Sequence, residues 1–71
     1  MTPTDLNRMY DAASAANPET SAHILVHQIA IDANLEVVRH DDQSGTLYRA
    51  PGGRLIYGWE SGGFQYNDEI E

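Results

Sequence analysis

Cysteine is absent from this 71-residue chain, which excludes disulfides, thiolate metal sites and a cysteine nucleophile. Lysine is absent as well. The four basic residues, Arg8, Arg39, Arg49 and Arg54, face eleven Asp and Glu, for a formal net charge of −7. Direct binding to DNA or RNA phosphates depends on Lys and Arg displacing counterions, so this composition argues against it. An anionic membrane surface is disfavoured for the same reason. The sequence has no run of ~20 apolar residues to span a bilayer. It also has no basic start followed by an apolar run to act as a secretion signal. A cytoplasmic protein is the expectation.

Hydrophobic residues make up 41% of the chain, which is too many for a disordered segment. A chain of this size has room for one domain, residues 1–71, and buries only about 60% of the surface that it exposes when unfolded. Without disulfides, oligomerisation is the staple that remains. Residues 18–33 are the best-marked helix, with Ala22, Leu25, Val26, Ile29 and Ala33 in one stripe. Asn17 is the expected cap, Pro18 suits the first position, and Glu19 falls where the helix dipole favours negative charge. Asn34 can close the helix in the left-handed conformation with Leu35 folding back behind it. Ile24 and Ile31, two turns apart, lie off the stripe, so this helix needs cover on a second side. Upstream, Leu6, Met9, Tyr10, Ala13 and Ala16 predict a helix over 3–16 capped by Thr2 or Thr4. The two helices form a hairpin.

After Asn34 the period changes from helical to alternating, and strands are predicted over 35–40, 46–50, 54–60 and 64–67. Asp41 to Gly45, Pro51-Gly52-Gly53 and Ser61-Gly62-Gly63 supply the turns. The predicted fold is therefore α+β, an N-terminal helical hairpin packed on one face of a four-stranded antiparallel meander. If two-residue loops close the second and third hairpins, Tyr48, Ala50, Leu55, Tyr57, Trp59, Phe64 and Tyr66 share one face, and a four-residue loop from Asp42 to Gly45 adds Leu35 and Val37 to it. That face carries five of the six aromatics and is the expected core. The opposite face then holds Glu36, Val38, His40, Leu47, Arg49, Ile56, Gly58 and Gln65, with Val38, Leu47 and Ile56 as an apolar patch.

Reaction chemistry is poorly signalled. His23 and His27 have the four-residue spacing that lets two imidazoles share a metal on one helix face. The intervening residues lack the glutamate of a zinc-hydrolase helix, and no third ligand is indicated, so no metal is expected. Asp41-Asp42 lacks the spaced carboxylates of a calcium loop. The paired glycines are not followed by a helix or a Walker lysine. None of the serines lies in a nucleophile-elbow pattern. A chain this short leaves little volume for a water-excluding pocket, so neither an enzyme nor a cofactor is expected.

An acidic, cysteine-free domain of this size, with carboxylates at Asp41, Asp42, Glu60, Asp68, Glu69 and Glu71, resembles the small inhibitors encoded by phages and mobile elements. Anti-CRISPR proteins and other DNA mimics are examples. In size and charge, the resemblance implies action by occlusion: carboxylates on a rigid surface occupy Arg and Lys sites that otherwise hold nucleic-acid phosphates. The expected function is binding to a basic protein surface, such as that of a CRISPR effector, in the host-cell cytoplasm where the chain is phage-encoded. The expected contacts are Glu36, Asp41, Asp42, Glu60, Asp68, Glu69 and Glu71. The alternative is a homodimeric accessory module that associates through Val38, Leu47 and Ile56, with its charge serving solubility.

Overall fold

The first helix, Pro3–Ala16 (α1), starts on a capping box. The Thr2 backbone N–H and hydroxyl both donate to the Asp5 carboxylate, and the Asp5 N–H donates back to the Thr2 hydroxyl at 3.3 Å. Two otherwise orphaned donors are thereby satisfied. These bonds, the one from the Thr2 backbone first, hold the Asp5 carboxyl below its ordinary range. The computed structural model describes residues 2–41 and 44–69. After α1 come a second helix, Ala22–Asp32 (α2), strands Glu36–Asp41 (β1), Gly45–Arg49 (β2), Leu55–Trp59 (β3) and Phe64–Tyr66 (β4), and a 3-10 turn at Asn67–Glu69. The strands pair antiparallel in chain order, and both helices pack against the sheet. The fold is α+β.

The hairpin differs from expectation at its corner. The second helix starts at Ala22 after Ser21, and not at Pro18. Asn17 is spent on ending α1, because its backbone N–H and its side-chain amide both donate to the Ala13 carbonyl at 2.9 Å. Pro18 and Glu19 then form a turn closed by Thr20 N–H on the Asn17 carbonyl. The far end of α2 follows its sequence signals. Asn34 has φ 63°, its N–H reaches Ile31 O, and Leu35 N–H reaches Ala30 O. Together these make a Schellman motif, which turns the chain from helix into strand.

The core lies between the helices and one face of the sheet. It gathers Leu6 from α1, Val26, Ile29 and Ala30 from α2, and Tyr48, Ile56 and Phe64 from the strands. Tyr48 pairs with Ile56 across β2 and β3, and Gly58 pairs with Phe64 across β3 and β4. The predicted single aromatic face is thus corrected. Tyr48, Phe64 and Tyr66 do face the helices, but Tyr57 and Trp59 lie on the outer face, stacked edge-on with ring centroids 4.7 Å apart. The reason is the second hairpin. Its loop has three residues, Pro51, Gly52 and Gly53, with Ala50 N–H bonded to Arg54 O and Gly53 N–H to Ala50 O. Gly52 and Gly53 supply φ values of 102° and 96° that side-chain-bearing residues rarely adopt. One extra loop residue slips the register by one and turns every side chain of β3 to the opposite face. The third hairpin also has three loop residues, Glu60, Ser61 and Gly62, which keeps Phe64 and Tyr66 on the helix side.

Ile56 therefore changes place. It is fully buried beneath the helices, where a side chain of its size contributes about 1.5–3 kcal/mol. Leu47 lies on the outer face opposite Tyr57, and the two residues are each only 7% exposed. Val38 sits at a bulge in β1, between the pairs Val37↔Tyr48 and Arg39↔Leu47. The expected patch of Val38, Leu47 and Ile56 is thus dispersed over three environments. The same bulge moves His40 onto the helix side of the sheet, opposite Thr46.

Candidate functional site

The helices do not cover the whole sheet. Within the sheet, α1 packs mainly on β4 and α2 mainly on β3, which leaves the edge strand β1 on the open side. All six residues of β1 are exposed. Between α2 and β1 runs a groove of about 450 Å³. His23, Ile24 and His27 form its helix wall, Val37 and His40 its strand wall, Thr46, Tyr48 and Gly58 its floor, and Trp59 and Glu60 one end.

The sequence explains why the groove is deep and mainly apolar. Gly58 lets α2 approach β3 closely, since a Cβ there would lie 2.8 Å from both a Tyr48 ring carbon and a Val26 methyl. Ile24 is 42% exposed and Val37 48% exposed, although both are large and aliphatic. Ile31, two turns beyond Ile24 on the same side of α2, is 54% exposed. The second side of α2, which the sequence marks as needing cover, is the side left open.

All three histidines of the chain line this groove. His27 Nδ1 is 3.2 Å from the Tyr48 hydroxyl, and His40 Nδ1 is 2.8 Å from the Thr46 hydroxyl. Burial pushes the Tyr48 phenol above its ordinary pKa, and a hydrogen bond with the Thr46 side chain partly offsets the rise. The two imidazoles and two hydroxyls thus form a polar line across the floor. With its phenol held neutral, Tyr48 acts there as a hydrogen-bonding group rather than as an anion. Among the described residues no group of three or more His, Cys, Asp or Glu is placed to hold a metal ion.

The carboxylates singled out by sequence fall at two ends of the sheet. Asp41 accepts a hydrogen bond from the Ser44 hydroxyl at 2.9 Å, and Glu60 N–H donates to the Ser44 carbonyl at 2.7 Å. One serine therefore ties the β1–β2 turn to the β3–β4 turn and brings Asp41 and Glu60 together. At the other end Glu36 meets Arg49 at 3.1 Å and Asp68 meets Arg54 at 3.5 Å. Arg54 also stacks on Tyr66, 3.5 Å from the ring centroid. Glu69 belongs to the final 3-10 turn. Asp42 and Glu71 lie outside the described residues.

No known protein family, curated protein or solved structure matches this chain. Sequence reasoning missed the groove, whose floor residues Thr46, Tyr48 and Gly58 come from two strands. The off-stripe Ile24 and Ile31 were its one legible sign. Among the described residues no helix is long and apolar enough to cross a membrane.

Proposed function

We propose that this chain is a small acidic binding protein that occupies a basic, nucleic-acid-binding surface of a partner complex, a CRISPR effector being one such complex, and blocks it by occlusion. The observation that carries this reading is the net charge of −7 together with exposed carboxylates on the helices that no described arginine pairs. Glu36 and Asp68 meet arginines, and Asp5 is used in capping α1. Asp11, Glu19 and Asp32 are exposed and in no ion pair among the described residues. Asp41, bonded to the Ser44 hydroxyl, and Glu60 both lie at the end of the sheet where Ser44 links the two turns. Exposed charges are individually weak and screened by salt, so several must act together on an oppositely charged surface.

Affinity capture at about 0.1 M and then about 1 M salt tests this reading, because the Debye length falls from about 10 Å to about 3 Å between them. A basic nucleic-acid-binding complex that is retained at low salt and released at high salt is the expected result. Retention of neutral proteins only, insensitive to salt, would contradict it.

A second reading is supported by the side of the molecule on which the apolar surface lies. Among the described residues the exposed large hydrophobics are Ile24 and Ile31 on α2 and Val37 and Val38 on β1. A homodimer would use this surface rather than the sheet face, against repulsion between two chains of charge −7. Light scattering that gives a monomer at high concentration would dispose of it.

A further inference from the structure

We propose that the groove between α2 and β1 seats a single amphipathic helix from the partner, with its apolar stripe against Ile24, Val37 and Tyr48 and with Lys and Arg on its flanks. The proposal rests on the acidic-binder reading and adds the form of the partner segment.

Width is the first argument. Neighbouring strands lie about 4.8 Å apart, so β1 lies about 10 Å from β3, on which α2 packs, and a helix over β1 would sit at the usual interaxial distance of about 8–10 Å from α2. One more helix beside α2 would complete the layer that α1 and α2 begin over β4 and β3.

Polarity is the second. The walls present Ile24 and Val37, each more than 40% exposed. The polar groups of the floor are already paired, His27 with Tyr48 and His40 with Thr46. No buried side-chain nitrogen or oxygen among the described residues lacks a partner. An apolar helix face can therefore cover the Tyr48 and Thr46 hydroxyls of the floor without stranding them.

The strand edge is the third. An extended segment would have to add to β1, but that strand carries a bulge between Val37 and Arg39 and charges at Glu36, Arg39 and Asp41. Bulges and charges are the features that blunt a sheet edge against further pairing. The face is open where the edge is not.

Charge complementarity selects the partner. Glu60 closes the groove at the end where α2 begins with His23. Asp32, exposed, ends α2 at the other. Basic residues flanking an apolar stripe match this arrangement. A second copy of this chain does not, because its helices carry Asp5, Asp11 and Asp32 and its net charge is −7.

Three synthetic peptides of about 14 residues, which as a helix would run about 21 Å along the groove, test the proposal by calorimetry at low salt. One carries Leu and Lys at helical spacing, the second has the same composition in strict alternation, and the third is oligolysine. The helical-pattern peptide is expected to bind at least about tenfold more tightly than the other two. The double variant Ile24→Ser, Val37→Ser, which alters only exposed side chains, is expected to abolish that preference. Tighter binding of the alternating peptide would overturn the proposal in favour of strand addition at β1. Equal, salt-sensitive binding of all three would overturn the groove while leaving the acidic-binder reading standing. If none of them bound, both would fall. A dimer of the free chain that the double variant dissolves would assign the groove to a second copy and overturn the partner helix.

Discussion

The side chain of Asn7 pairs with the backbone of Phe64 in both directions. Its Oδ1 accepts from Phe64 N–H at 2.7 Å, and its Nδ2 donates to Phe64 O at 3.1 Å. One amide from α1 thus does for β4 what a fifth strand would do, satisfying both outward-facing groups of that residue. The sheet has one edge locked by a helix and one edge, β1, exposed along its whole length.

This pairing predicts a strongly destabilising polar substitution. Asn7→Ala strands two partly buried backbone groups and is expected to destabilise by about 1–3 kcal/mol. For a domain of this size each kcal/mol lowers the melting temperature by about 4–8 °C. Asn7→Asp keeps the acceptor, loses the donor, and should lie between the two. Thermal melts of the three proteins check the order.

Gly58→Ala should also destabilise, by about 1–3 kcal/mol, because its Cβ would fall 2.8 Å from Tyr48 and Val26 side-chain atoms in a packed core. Gly52 is a contrast, since a Cβ there meets nothing. The effect of Gly52→Ala would come from its φ of 102° alone. Denaturant titrations of both variants separate crowding from backbone strain.

The raised pKa of Tyr48 gives a signed pH dependence. The folded state favours the neutral phenol, so the associated stability is fully present below the unfolded value near 10 and is lost as pH rises through the higher folded value. Melting temperatures measured from about pH 9 to about pH 12 should therefore fall more steeply for the wild type than for Tyr48→Phe. Parallel curves would contradict a buried neutral phenol.

The carboxylates should divide into two classes. Glu36→Gln and Asp68→Asn break exposed ion pairs and should change stability by less than about 1 kcal/mol. Reversing Asp41 and Glu60 to Arg removes the pair that Ser44 brings together. It should weaken capture of a basic partner at low salt, at a stability cost of about 1 kcal/mol from the lost Ser44–Asp41 hydrogen bond.

The local fold was legible where several signals agreed. Thr2, Asp5 and Pro3 mark the start of α1, and Asn34 with Leu35 marks the end of α2. These are short-range hydrogen-bond patterns that residue types nearly dictate. Asn17 was misread because it can serve either the helix before it or the helix after it, and the Ala13 carbonyl takes it. Face assignments failed for a subtler reason. Strand period fixes only relative sides, so one extra residue in the Pro51-Gly52-Gly53 loop exchanges Ile56 for Tyr57, and the bulge at Val38 exchanges His40. The groove follows from which strands the helices cover, a long-range outcome of packing that no local pattern encodes.

Occlusion is tested most directly by a mobility-shift titration. A nucleic-acid-binding complex captured by the chain is mixed with its labelled nucleic acid, and the chain is added in increasing amounts. The account predicts that the label is released in proportion to added chain until about one equivalent is bound per site, and that high salt and the Asp41→Arg, Glu60→Arg variant both weaken this release. A ternary complex, with the nucleic acid still bound when the chain is in saturating excess, would contradict it.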